Sequence, residues 1–111
     1  MENVYDKAHE LARALKESQE YKHYLDMKAK INENADLSKM INDFQDKNMA
    51  VQTQQMLTGQ MDKDGMTELQ ALYQIVMSDP LAAQYMQSEY AFTQVISEVY
   101  KILGEVIRVG Q

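Results

Sequence analysis

From Leu81 to Val106 the side chains that suit helix packing recur at alternating spacings of four and three residues: Leu81, Tyr85, Ser88, Phe92, Val95, Val99, Ile102 and Val106. That alternation keeps every member on one face of an α-helix and suits a neighbouring helix along the whole length. A second stripe lies beside it, formed by Ala82, Met86, Ile96, Tyr100, Leu103 and Ile107. An ordinary surface helix has one apolar stripe and a charged back. Here only Glu68, Asp79, Glu89, Glu98 and Lys101, five of the 39 residues from Met66 to Gly104, carry charge. A helix with two stripes and so few charges must bury more than one face. A chain of 111 residues cannot easily cover both alone, so self-association or a protein partner is the simplest remedy.

The remaining chain reads as four shorter helices. Asn3 is placed to cap a first helix whose stripe is Val4, Ala8, Leu11 and Leu15, with Ala12 widening it. Ser18 marks either a break or a bend. Tyr21, Tyr24, Leu25, Lys28 and Ile31 then continue the pattern until Asn32–Asn34, where asparagine favours local side-chain bonds over helix. A third helix starts at Asn34 or Asp36 with Leu37, Met40, Ile41 and Phe44. Beyond Phe44 its stripe becomes polar, and Gly59 ends it as a left-handed C′ residue. Gln60–Gly65 reads as the main interior loop. Met66, Leu69, Leu72, Tyr73, Val76 and Met77 give a short fourth helix. Ser78-Asp79-Pro80 then opens the fifth, because proline suits the first helical turn and Asp79 caps the N–H groups beyond it. The fifth helix runs to about Val109, about 45 Å, and Gly104 inside it marks a bend or a close helix–helix approach. The fold expected is all-α, a bundle of about five helices in a single domain over residues 1–111, dimeric through packing of the long helix.

Composition excludes more than it proposes. The chain has no Cys, so disulfide scaffolds, zinc ribbons, thiolate-held iron–sulfur clusters and cysteine nucleophiles are out. No apolar run approaches the roughly 20 residues of a membrane span, and no basic patch followed by an apolar core opens the chain. A cytoplasmic protein with no membrane partner is expected. The net charge is −6. Residues 1–55 hold ten acids and eight bases, and residues 56–111 seven acids and three bases. Nucleic-acid affinity rests on Lys and Arg neutralising phosphates. Arg13 and Arg108 are the two arginines, and Lys22, Lys28 and Lys30 are interleaved with Glu20, Asp26 and Glu33. Direct nucleic-acid binding is not expected.

Nor does any cluster suggest a reaction. The loop Gln60-Met61-Asp62-Lys63-Asp64-Gly65 is superficially like a calcium loop. With Gly65 as its glycine, however, the first ligand position is Gln60 and the twelfth Ala71, where carboxylates are needed. It reads instead as a turn with Asp64 near a helix start. His9 and His23 are fourteen residues apart with no tight acidic cluster beside either, so no metal site is expected. The seven tyrosines fall mostly on or beside apolar stripes and suit helix packing. Of the nine methionines, Met40, Met77 and Met86 look like core. Met49, Met56, Met61 and Met66 surround the loop and the polar helix, where flexible thioethers suit an adaptable contact face. No catalytic residue, cofactor or enzyme activity is expected.

The stretch Ala8-His9-Glu10-Leu11-Ala12-Arg13-Ala14-Leu15-Lys16-Glu17-Ser18-Gln19-Glu20-Tyr21-Lys22 resembles the opening of the YlbF/YmcA family of small helical bacterial proteins, its YheA-like branch in particular. Asp43-Phe44, Gln55-Met56 before Gly59, and the long last helix with Phe92 and Leu103 follow in similar order, so the likeness spans residues 4–107. The resemblance implies an all-α cytoplasmic protein whose long helices pair in dimers or larger assemblies. It also implies protein partners. YlbF and YmcA act with a third protein, YaaT, in a complex that influences RNase Y-dependent RNA processing and, through it, competence, biofilm formation and sporulation. Some members carry a Cys-bearing C-terminal tail, and the Cys-free chain has no such iron–sulfur role.

The function expected is therefore a non-enzymatic adaptor working by self-association and protein docking. Phe92, Val95, Ile96, Val99, Tyr100 and Leu103 are the expected interface seam. Met49, Met56 and Met61 form a more exposed, partner-facing alternative. A protein acting directly on RNA and a small-molecule-binding helical bundle are the competing readings.

Overall fold

Four of the five helices begin where a short polar side chain accepts from a free N–H, while at the fourth in chain order the N-cap residue Asp62 makes no such bond. The computed structural model describes residues 3–107. In α1, Val4–Glu17, the Asn3 side chain accepts from the Asp6 N–H at 2.9 Å. Ser18 makes a true break: its backbone is extended, its hydroxyl donates to the Leu15 carbonyl at 2.7 Å, and the same oxygen accepts from the Tyr21 N–H. Then come α2, Gln19–Asn32, and α3, Ala35–Thr58, the latter capped by Asn34 on the Leu37 N–H. Gly59 ends α3 at φ 72°, a left-handed conformation that favours glycine. Finally α4 spans Lys63–Ser78 and α5 Pro80–Ile107, with Asp79 accepting from the Ala82 N–H at 3.0 Å.

One boundary and one stripe differ from the reading above. The interior loop is shorter than Gln60–Gly65, because α4 already begins at Lys63 and Gly65 lies in its first turn. A Cβ at Gly65 would stand 2.7 Å from an Asp62 carboxylate oxygen and 3.2 Å from Val51. Glycine there lets α4 start close against α3. The expected end at Val109 lies outside the described residues. Gly104 sits within continuous helix, and a Cβ there would meet nothing within 4 Å, so no helix of this chain approaches it closely. In α2 the core side chain is Met27, 2 % exposed, whereas Leu25 is 44 % exposed. Met40 and Met86 are half-buried and pack against the core as expected, and Met77 is half-buried.

The core is small. Met27 and Ile31 of α2, Ile41 and Phe44 of α3, Val76 of α4, and Ala82 and Tyr85 of α5 form its buried cluster. Tyr21 meets Phe92 at 5.0 Å between ring centroids, and Tyr24 lies 5.8 Å from both Phe92 and Tyr85. Rising numbers in α2 thus meet falling numbers in α5, so the two run antiparallel. Gln45 of α3 donates to Glu89 of α5 at 3.2 Å, and the Tyr85 hydroxyl donates to the same carboxylate at 3.1 Å. Farther out, the Lys47 ammonium meets Glu68 at 2.6 Å, joining α3 to α4 as an antiparallel hairpin.

The result is broad and thin. The Cα envelope measures 54 × 38 × 16 Å, and its shortest side admits at most two layers of helix axes about 8–10 Å apart. The radius of gyration is 17.8 Å, against about 13 Å for a compact chain of this length. The accessible surface is 8735 Å², against about 6,300 Å² for a typical monomer of this mass.

Two outcomes test this core. Met27→Ala should cost about 2–4 kcal/mol in urea unfolding, and Leu25→Ala no more than about 0.5 kcal/mol. Burial raises the Tyr85 hydroxyl above its ordinary pKa, with the Tyr24 hydroxyl and Glu89 acting in the same direction. An acid raised by folding contributes stability below the unfolded value of about 10 and loses it as pH climbs through the folded one. Tyr85→Phe should therefore flatten part of the alkaline fall in stability, measured as urea midpoints above about pH 10.

Candidate docking surfaces

Because α2 runs antiparallel to α5 and Ser18 is the single residue between α1 and α2, α1 is carried alongside the second half of α5. There the two helices do not close on one another. No residue of α1 is buried. Ala8, Leu11, Ala12 and Leu15 form one wall and Ile96, Val99, Tyr100 and Leu103 the other wall of an open apolar groove of about 260 Å³. The groove continues outward past Val4, Lys7 and Leu103. Beyond it the apolar face of α5 runs on uncovered: Ile102, Val106 and Ile107 are exposed, Val106 at 82 %.

The expected seam is thus divided. Phe92 is held between Tyr21 and Tyr24 and serves the contact of α5 with α2. Val95, Ile96 and Val99 are half-buried. Tyr100 and Leu103 are exposed, Tyr100 at 68 %. The structure adds a wall that the sequence reading did not assign to this site, Ala8, Leu11, Ala12 and Leu15. Its signal was present as the stripe of the first helix, but nothing in that stripe says which helix it faces.

A second apolar region lies at the tip of the α3–α4 hairpin. Met56 and Leu57 are 86 % and 81 % exposed, and Met49 and Met61 are exposed with them. From Asn48 to Met61 no residue is charged, the longest such stretch in the chain. Amides replace the charges: Gln52 donates to Asn48 at 3.3 Å. Interfaces are depleted of charge and enriched in methionine, and this exposed segment has that composition.

Neither region presents a reactive arrangement. The groove walls contribute one hydroxyl, that of Tyr100, and no titratable pair. Among the described residues no group of three His, Asp or Glu side chains is placed to hold a metal. No described helix is long and apolar enough to cross a membrane. What the arrangement can do is seat helices.

The described residues form an all-helical protein, a thin slab with two open apolar surfaces. The chain belongs to the YlbF/YmcA family, described as control of competence regulator ComK, whose model matches residues 4–108. Among its relatives is a UPF0342 protein of Caldicellulosiruptor saccharolyticus, 35 % identical over 96 % of this chain and 89 % of the relative. A UPF0342 protein of Symbiobacterium thermophilum is 36 % identical, over 96 % of this chain and 95 % of its own length. The fold is similar to that in a crystal structure of Bacillus subtilis RicA in complex with RicF. That likeness has a TM-score of 0.60 at 14 % identity, covering 91 % of this chain and 90 % of the other.

Proposed function

We propose that this chain is a non-enzymatic cytoplasmic adaptor that dimerises through the second half of α5 and holds further proteins in a regulatory assembly. The observation that carries the reading is the apolar face of α5 beyond Val95, which no other helix of the chain closes over. Exposed apolar patches of this extent on a small domain belong to interaction sites. The accessible surface exceeds that of a typical monomer of this mass by roughly 2,400 Å², enough for more than one standard contact. Val95, Ile96, Val99, Tyr100 and Leu103 supply the contact, and charged flanks such as Glu98 and Lys101 set orientation.

Family membership extends the proposal to process. The assembly would act on RNase Y-dependent RNA processing and through it on competence, biofilm formation or sporulation. Support comes from the family's description as regulators of competence control and from RicA having been solved with a protein bound, RicF. Direct contact with RNA is the weaker reading: a net charge of −6 repels phosphate.

Val99→Asp should convert the wild-type assembly to monomers in light scattering while circular dichroism stays helical, because an unpaired charge in an apolar interface costs several kcal/mol. Tyr100→Glu, at an exposed position, should do the same without touching the chain's own core. An unchanged mass in both folded variants would remove the α5 assignment. In cells, transcripts cut by RNase Y should change lifetime when the gene is deleted, and recover with the wild-type chain but not with Val99→Asp.

A further inference from the structure

We infer that the tip of the α3–α4 hairpin of one copy seats in the α1–α5 groove of a second copy, and that the contact is reciprocal, so that two copies close a two-fold dimer. The inference rests on the proposal that the second half of α5 is buried by self-association, and it names the element that does the burying.

The tip cannot hold itself. Outward of the Lys47–Glu68 ion pair, Val51 and Gly65 are the buried residues of the hairpin among those described. One small side chain offsets little of the backbone entropy lost in ordering two helix ends. Met56 and Leu57 meanwhile stand almost fully in solvent. The segment is built as if covered.

Charge selects the occupant. Each copy carries −6, so two copies repel unless they meet where like charges do not oppose each other. The tip from Asn48 to Met61 is the longest charge-free stretch of the sequence. The eight residues lining the groove carry no charge either. Shape agrees. The groove is open to solvent, about 260 Å³, and walled by one helix on each side. The methionines of the tip adapt to irregular apolar surroundings without strain.

Symmetry and area close the argument. Tip and groove are unlike surfaces on the same chain. Joined in one direction only, they would grow an open filament with a free tip and a free groove at its ends, or close a ring of more than two copies where the rotation allows. Joined reciprocally, both are consumed in one dimer. Each copy then contributes two contact regions. The excess surface of roughly 2,400 Å² per copy is about three times the ~800 Å² per partner of a standard interface, which suits two regions better than one.

The absence of cysteine makes a clean test. Met56→Cys and Leu103→Cys are introduced in separate chains, co-expressed, and oxidised with diamide at neutral pH. Leu57→Cys with Leu11→Cys forms a second pair that guards against a small error in register, since a disulfide needs Cα atoms within about 7 Å. Circular dichroism checks that each variant remains helical. The expected result is a covalent dimer from a mixed pair on a non-reducing gel, with each single variant staying uncrosslinked by itself. A Leu103→Cys chain that crosslinks alone would overturn the inference in favour of direct α5–α5 pairing. A Met56→Cys chain that crosslinks alone would overturn it in favour of tip-to-tip pairing. A chain carrying both Met56→Cys and Leu103→Cys should likewise stop at a covalent dimer, and a ladder of higher covalent species from it would refute reciprocal closure. No crosslink in either pair, with a wild-type mass still dimeric, would mean that the groove holds something other than the tip. The parent proposal fails by a different measurement, a wild-type chain that is monomeric by light scattering at tens of micromolar.

Discussion

The contact of Tyr21 and Tyr24 with Tyr85 and Phe92 sets the geometry of the whole chain. Aromatic rings with centroids 5.0–5.8 Å apart, one pair tilted and two stacked, hold α2 against the first half of α5 in antiparallel register. Everything else is placed by consequence. At one end Asp79 and Pro80 turn α4 back beside α5, and the α3–α4 hairpin extends from there. At the other end the one-residue break at Ser18 carries α1 along the remainder of α5. The lengths match: α1 and α2 have 14 residues each, which together equal the 28 of α5. Two short helices therefore shadow one long one, and only the nearer of them packs.

Why α1 stays apart follows from its composition. Its inner face holds Ala8 and Ala12 beside Leu11 and Leu15. Alanine offers little area, and no residue of α1 reaches full burial. An isolated helix of 14 residues is marginal in water. The Asn3 cap and the Ser18 bonds help it locally, but tertiary contact supplies most helical stability. In the proposed assembly, a partner filling the groove would add stability to α1 as well as cover α5.

Boundaries set by local chemistry were legible from the residues alone. Asn3, Gly59 and Asp79 each act through hydrogen bonds or backbone conformations within a few residues, so the chain carries its own punctuation there, while the choice between break and bend at Ser18 and between Asn34 and Asp36 as the start of α3 came from the structure. Side-chain choice within α2 was not. Leu25 and Met27 are two residues apart, both apolar, and periodicity alone admits either beside Tyr24 and Ile31. A place in the buried cluster that also holds residues distant in sequence, Val76 and Ala82 among them, decides for Met27. The start of α4 was missed because glycine in a first turn looks like a loop until Asp62 and Val51 are seen to occupy the space of its missing side chain. The seam on α5 was visible as a pattern, yet its division was not. Phe92 and Val99 occupy the same face, and only the point where α2 ends separates the ring that is used within the chain from the branched residue that remains open.

The net charge and the apolar surfaces belong to one design. A chain with two open apolar regions would associate indiscriminately if nothing opposed it. An excess of six acids keeps copies apart at long range. That repulsion decays over about 10 Å in 0.1 M salt, while apolar burial acts at contact. Approach is therefore productive only where charge is locally absent, along the groove walls and from Asn48 to Met61. The same field discourages phosphate backbones at every orientation, since two arginines and scattered, acid-paired lysines offer no continuous basic face. Lys30 with Asp26 and Lys39 with Asp43 are ion pairs within single helices. They leave those lysines partly neutralised before any polyanion approaches. In the proposed assembly, selectivity for protein helices over nucleic acid would need no dedicated recognition residue and would follow from where the charges are and where they are missing.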